Sequence, residues 1–197
     1  TLLLPHQAHP YVILLRAIGP ATHRLMGMGQ WREAAEEAGF LAPETVLNTG
    51  KMVADFAGDA TAARQAMRVV LRGFGLGENV APIVRRPALL ETLIAADPIA
   101  AAARDRPAET AVFFFGSDKP DFAWLGDHDG PEKTHVVSDH LIVDFTRDVA
   151  KSSRLIRLID KHCGLNTARS WSSMCKIAAK VRERATRQNT NAASCAE

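Results

Sequence analysis

Two groups of polar side chains in this chain have the types and spacing to hold an anion. Arg16 closes the apolar run Tyr-Val-Ile-Leu-Leu-Arg, and Asn48, Thr49 and Lys51 lie around a Thr-Gly turn. A guanidinium offers paired donors to a carboxylate or phosphate, and a Thr-Gly turn adds a hydroxyl and an approachable backbone amide. The second group is Lys151 and Ser152 at the start of one amphipathic stretch, with Arg169 and Trp171 in Thr-Ala-Arg-Ser-Trp before another. Free amides and the dipole at a helix N-terminus favour an anion, and an indole offers a flat apolar face. Each residue also has an ordinary alternative: Arg16 capping carbonyls, Ser152 as an N-cap, Trp171 as core filling.

Other chemistries lack their residues. Asp-His-Asp-Gly-Pro-Glu at 127–132 superficially resembles a calcium loop, but the later oxygen ligands and glutamate are missing, so it reads as an acidic solvent loop. His135 and His140 have no H-E-x-x-H or cysteine partner, which argues against zinc. The glycines at 73, 75 and 77 follow a helix pattern rather than a strand, the wrong context for a dinucleotide fingerprint. There is no G-x-S-x-G and no phosphate-binding G-x-x-x-x-G-K motif. No metal or cofactor is expected. No side chain stands out as a general base, so the sequence neither assigns nor excludes catalysis.

A hydrophobic share of 47% with 23% charged residues over 197 residues is that of an ordinary globular protein. The net charge of +2 is unevenly placed. Residues 147–187 carry eleven basic and three acidic side chains, a balance of +8, whereas residues 1–146 carry thirteen basic and eighteen acidic, a balance of −5. The C-terminal stretch therefore reads as the electropositive part of the molecule, either a solvated face or a surface for an anionic partner. Cys163, Cys175 and Cys195 are odd in number and lack C-x-x-C spacing, as expected of a reducing cytoplasm. The opening Thr-Leu-Leu-Leu-Pro is not expected to be a signal peptide, and no apolar run reaches the roughly 18 residues of a membrane helix.

The hydrophobic pattern predicts strand, helix, two strands, helix, strand over residues 11–16, 30–38, 44–48, 52–56, 59–74 and 80–85. That order implies a ferredoxin-like plait, βαββαβ, with two crossovers onto one antiparallel sheet. A proline-led helix over 87–96 and an alanine-rich connection follow, and the order then repeats. Strands are predicted at 110–115, 134–137 and 140–145, a helix at 152–162, a short strand at 166–168 and a basic helix at 173–185. The fold class expected is thus α+β, two plaits in tandem, the second degraded and followed by a C-terminal helix. The expected domains are 1–97 and 98–185, with a disordered polar tail at 186–197.

With these elements in place, the chain resembles a bacterial family known only as domain of unknown function 1697. That family's L-L-R-G-I-N-x-G-G motif is similar to Leu14-Leu15-Arg16-Ala17-Ile18-Gly19-Pro20, and its M-x-x-L helix ending in Gly-Phe to Met28 through Gly39-Phe40, with Trp31 in place of leucine. The hairpin T-Y-I-Q-S-G-N matches Thr45 to Lys51, S-K-L-T-N resembles Ala150 to Arg154, and T-A-R-N-W-x-T resembles Thr167 to Ser173. The family's asparagine after the first strand is Gly19 here, and the asparagine of S-G-N is Lys51. The resemblance implies the fold and names no activity.

The expectation for function is a non-enzymatic module that binds an anion, a nucleic acid or a phosphorylated small molecule, at a seam between the two halves. The alternatives are a small-molecule enzyme that uses the same cations and a structural protein whose basic helix docks on a partner. Paired exposed aromatics of the kind that stack on RNA bases are missing, because Phe113 to Phe115 read as buried.

Overall fold

The structure, a computed structural model, describes residues 7–96 and 98–195. The opening pentapeptide, the boundary expected at Asp97 and the last two residues of the expected tail lie outside the described residues. The chain divides into a first unit of residues 1–89 with 176–197, and a second of residues 90–175.

In the first unit, β1 (His9–Leu15), β2 (Leu41–Thr45), β3 (Lys51–Phe56) and β4 (Pro82–Arg85) form an antiparallel sheet in the order β2-β3-β1-β4. Strand alternation sends Tyr11, Ile13, Leu15, Met52 and Ala54 to one face, where they pack with helices α2 (Met28–Glu37) and α3 (Ala60–Gly73). Trp31 and Ala35 come from α2, and Ala63, Met67, Val70 and Leu71 form the apolar stripe of α3. The Trp31 indole N–H reaches Met67 Sδ at 3.2 Å, so the largest buried ring also satisfies its donor. Asp59 caps α3 by accepting from the Ala62 amide at 2.8 Å.

Two details depart from the sequence pattern. A short helix, α1 (Pro20–Leu25), precedes α2 and starts on the proline. Strand β2 lies three residues earlier than expected, because the ladder shifts between Leu41 and Glu44 and Leu47, at φ 56°, already belongs to the turn.

The second unit repeats the sheet order. Helices α4 (Pro87–Ala96) and α5 (Ala100–Asp105) lead into β5 (Thr110–Phe115), β6 (Lys133–Val137), β7 (His140–Asp144) and β8 (Asn166–Ser170), paired antiparallel as β6-β7-β5-β8. The connection expected before residue 110 is helical at α5. Between β5 and β6 stands only a 3₁₀ turn, Ala123–Asp127, and α6 (Ser153–Cys163) follows β7. Phe113, Phe115, Leu141, Val143 and Phe145 pack with Leu155, Ile159 and Cys163, which recur every four residues along α6. Overall this is an α+β protein with two four-stranded antiparallel sheets and, among the described residues, seven α-helices.

The last helix, α7 (Trp171–Ser194), starts in the second unit and from residue 176 belongs to the first. Residues 186–194, expected as a disordered tail, are helical. The cause is ionic rather than apolar, which is why no hydrophobic period announced it. Arg184, 5% exposed, donates to the Ala42 carbonyl and to Glu44 Oε2 (2.6 Å), with Asp55 Oδ1 at 3.5 Å. Arg187 Nη2 donates to both Glu44 oxygens at 2.8 Å, and Gln188 reaches Asp55 at 2.8 Å. Burial pushes the Glu44 carboxyl upward, but hydrogen bonds and charge from Arg187 and Arg184 outweigh it and hold the group below its ordinary 4.5.

A carboxylate depressed by folding stabilises fully above its ordinary value and less as pH falls through the lower folded one. Urea midpoints are therefore expected to drop on acidification from about pH 5 to pH 3, and less steeply in Glu44→Gln. Arg184→Met, which removes the buried cation shared by Glu44 and Asp55 and the donor to the Ala42 carbonyl, is expected to cost about 1–3 kcal/mol in the same assay at neutral pH.

Candidate functional site

The first group of sequence-selected residues converges at one end of the first sheet. The β1 ladder continues past its end, with Leu15 N–H to the Gly50 carbonyl (2.8 Å) and Arg16 N–H to that of Ala81 (3.0 Å). Val46 N–H to the Lys51 carbonyl (2.9 Å) closes the turn, so Arg16 leaves the sheet beside Thr49 and Gly50. Gly50 is required there: its φ is +68°, and a Cβ would meet Ile18 Cγ1 at 2.6 Å. The Lys51 ammonium is buried and donates to the Thr49 hydroxyl, while Asn48 and Thr49 are exposed.

Arg16 is half-buried, and its guanidinium has no hydrogen bond or ion pair with any described residue. Among the described residues Arg64, on α3, is likewise half-buried without a hydrogen bond or ion pair, and the other buried or half-buried arginines and lysines have partners. Arg106 pairs with Asp144 at 2.8 Å, Lys180 and Arg184 pair with Glu44, and Lys51, Arg85 and Arg169 are hydrogen-bonded.

The second group has divided roles. Lys151 is exposed in a 3₁₀ turn (Val149–Ser152) that Asp148 caps through the Ala150 amide at 3.0 Å. Ser152 is 1% exposed and makes no side-chain cap for α6. Arg169 on β8 donates to Thr167 Oγ1 (2.5 Å) and the Ala168 carbonyl (2.9 Å), and burial lowers its pKa to about 10. Trp171 is the buried first residue of α7. Three cations of the electropositive C-terminal stretch are matched within the first unit, where Lys180, Arg184 and Arg187 meet Glu44 and Arg184 also meets Asp55.

The loop at 127–132 is not the solvated acidic segment expected from its composition. His128 and Glu132 side chains are 5% and 3% exposed and hydrogen-bonded at 3.0 Å, with Arg147 3.7 Å from the second Glu132 oxygen. Desolvation pushes Glu132 up, but the polar groups around it, the Ser152 hydroxyl, His128 and its own backbone amide, prevail and hold it below the ordinary carboxylate range. Trp124 packs its edge toward His128 and stacks on His162 at 5.3 Å, and its indole N–H shares the Asp121 carbonyl with the Cys163 thiol. The signal for this knot was Gly130-Pro131 between a histidine and a glutamate four apart, which lets the loop fold over the pair. Among the described residues no three His, Cys, Asp or Glu side chains gather as a metal site, and no helix is long and apolar enough to cross a membrane.

The family model described as protein of unknown function, DUF1697, matches residues 9–141, well over half of the chain. The chain belongs to that family. The match ends before Thr-Ala-Arg-Ser-Trp, so the motif at 167–173 lies outside the DUF1697 segment. A solved structure of similar fold is that of the conserved bacterial protein SP0830 from Streptococcus pneumoniae, at 13% identity and a TM-score of 0.70. The alignment covers 89% of this chain and 99% of that one. No curated protein is significantly similar to this DUF1697 member.

At Gly130 a Cβ would fall 2.3 Å from Glu132 Oε2 and 2.5 Å from His128 Nε2, whereas at Gly126 it meets nothing within 4 Å. Gly130→Ala is expected to destabilise by about 1–3 kcal/mol in urea unfolding, by overpacking the buried pair. Gly126→Ala is expected to stay within about 0.5 kcal/mol of the parent.

Proposed function

We propose that each half is a ferredoxin-like plait, and that the protein is a binding module for a small anionic ligand held at the Arg16 end of the first sheet. The plait reading is supported by the sheet orders β2-β3-β1-β4 and β6-β7-β5-β8, and in the first unit by helices that cover one face. The second plait is the degraded copy, its first crossover reduced to the 3₁₀ turn.

One observation carries the ligand reading: Arg16 is half-buried where β1 ends against the Thr49–Lys51 turn, and it has no acceptor among the described residues. A partly desolvated guanidinium without an acceptor is costly, and an oxyanion supplies one. In this reading Arg16 takes the anion in a forked pair, Thr49 and Asn48 bind its remaining oxygens, and Lys51 sets the local potential. Lys151, Ser152, Arg169 and Trp171 are a second, separate candidate group, of which Lys151 is the exposed cation. A nucleic-acid strand is the weaker ligand, since much of the basic charge on α7 already has carboxylate partners.

Titration calorimetry of the full chain with pyrophosphate and citrate is expected to give binding at low ionic strength that weakens as salt is added. Arg16→Ala should weaken it by about tenfold or more, the worth of a charge-assisted hydrogen bond, and Arg16→Lys by less. If neither ion binds, or if Arg16→Ala binds as the parent does, the reading is wrong.

A further inference from the structure

A cleft of 540 Å³ opens in the first unit at the other end of the same sheet, where β1 begins and β3 and β4 finish. With seven residues in β1, it lies about 20 Å along the strand from Arg16. Its volume is within the roughly 300–1,000 Å³ range of small-molecule sites. Tyr11 forms part of the wall, and its hydroxyl is fixed as a donor to the Gly58 carbonyl at 2.5 Å. Register places β4 beside β1 here, with Arg85 opposite Val12. The next residue, Arg86, lays its guanidinium over the Tyr11 ring, Cζ 5.3 Å from the centroid.

The Arg86 side chain is exposed and makes no hydrogen bond or ion pair with any described residue. A guanidinium held over an aromatic ring keeps N–H donors and its outer side available, so it can pair with an oxyanion and meet a second ring at once. Gln7 and His9 add side chains that can donate from the rim. Of the neighbouring acceptors, the Gly58 carbonyl takes the Tyr11 hydroxyl and one oxygen of Asp59 takes the Ala62 amide, which leaves the second Asp59 oxygen at the rim. The lining thus sets the donors of Arg86, Gln7 and His9 beside the Tyr11 ring.

We propose that this cleft is a second ligand site, for a small molecule that carries a carboxylate or phosphate on a flat ring. Arg86 holds the oxyanion, and its Tyr11-backed plane receives the ring. The site is independent of the one at Arg16.

The test is titration calorimetry of the full chain with 4-hydroxybenzoate, AMP and inorganic phosphate, each against the parent, Arg86→Ala, Arg86→Lys and Arg16→Ala. The expected result is that at least one ring-bearing ion binds more tightly than phosphate, and the one that binds identifies whether carboxylate or phosphate is the natural group. Arg86→Ala should weaken that ion about tenfold or more, Arg86→Lys should recover part of the loss, and Arg16→Ala should leave it unchanged. Because Arg86 is exposed, the variants should unfold at the parent's urea midpoint, which confirms that a loss of binding is local. The proposal is overturned if neither ring-bearing ion binds at low salt, if phosphate binds as tightly as both, or if Arg86→Ala binds them as the parent does.

Discussion

The first unit depends on one half-buried acid, Glu44, and the cations that α7 brings to it. Strand β2 is an edge strand, and Ala42, at φ 46° within its ladder shift, turns a carbonyl out of the sheet. An unpaired carbonyl and a carboxylate at a sheet edge would be costly to cover with apolar side chains. Arg184 answers both at once, Arg187 and Lys180 add charge at Glu44, and Gln188 donates a hydrogen bond to Asp55. The arrangement fixes the rotation of the helix about its axis. Lys180, Arg184, Arg187 and Gln188 recur at intervals of three and four, so a single helical stripe faces the two acids.

This stripe also changes the meaning of the charge map. Eleven basic residues against three acidic ones between 147 and 187 look, along the sequence, like a surface for an external anion. In the folded chain Lys180, Arg184 and Arg187 find their counter-charges more than a hundred residues earlier, on β2 and β3, and Arg147 and Arg154 find theirs at Glu132 and Asp129. A run of cations states the sign of the partner, not whether the partner is another molecule. Arg16 teaches the converse lesson. One cation at the end of an apolar strand is unremarkable in a charge count, yet it is half-buried and finds no acceptor among the described residues.

Much of the architecture was legible because it rests on short-range pattern. The all-apolar run at 110–115 became the fully buried central strand β5, and the proline-led stretch at 87–96 is α4 to the residue. Asp59 is the cap that its position before the stripe Ala63, Met67, Val70 and Leu71 implied. What escaped depends on long-range partners. The last turns of α7 have no apolar period, β2 slipped because its ladder shift precedes the hairpin, and the loop at 127–132 looked solvated because His128 and Glu132 satisfy each other out of solvent. Of the candidate sites, the convergence of Arg16 with the Thr49 hairpin could be read from strand order. The placement of Arg86 over the Tyr11 ring could not, since it needs the register of β4 against β1.

The division of the chain has a consequence for how it is made. The first unit is discontinuous: its sheet is encoded before residue 90, and its closing helix segment only after residue 175, with the entire second unit between. On the ribosome, Glu44 and Asp55 emerge long before Arg184, so the nascent sheet must wait with its acidic edge uncovered while the intervening unit is synthesised. During that interval water, rather than arginine, solvates the two acids, and the first unit gains its full cooperativity only when the final helix docks.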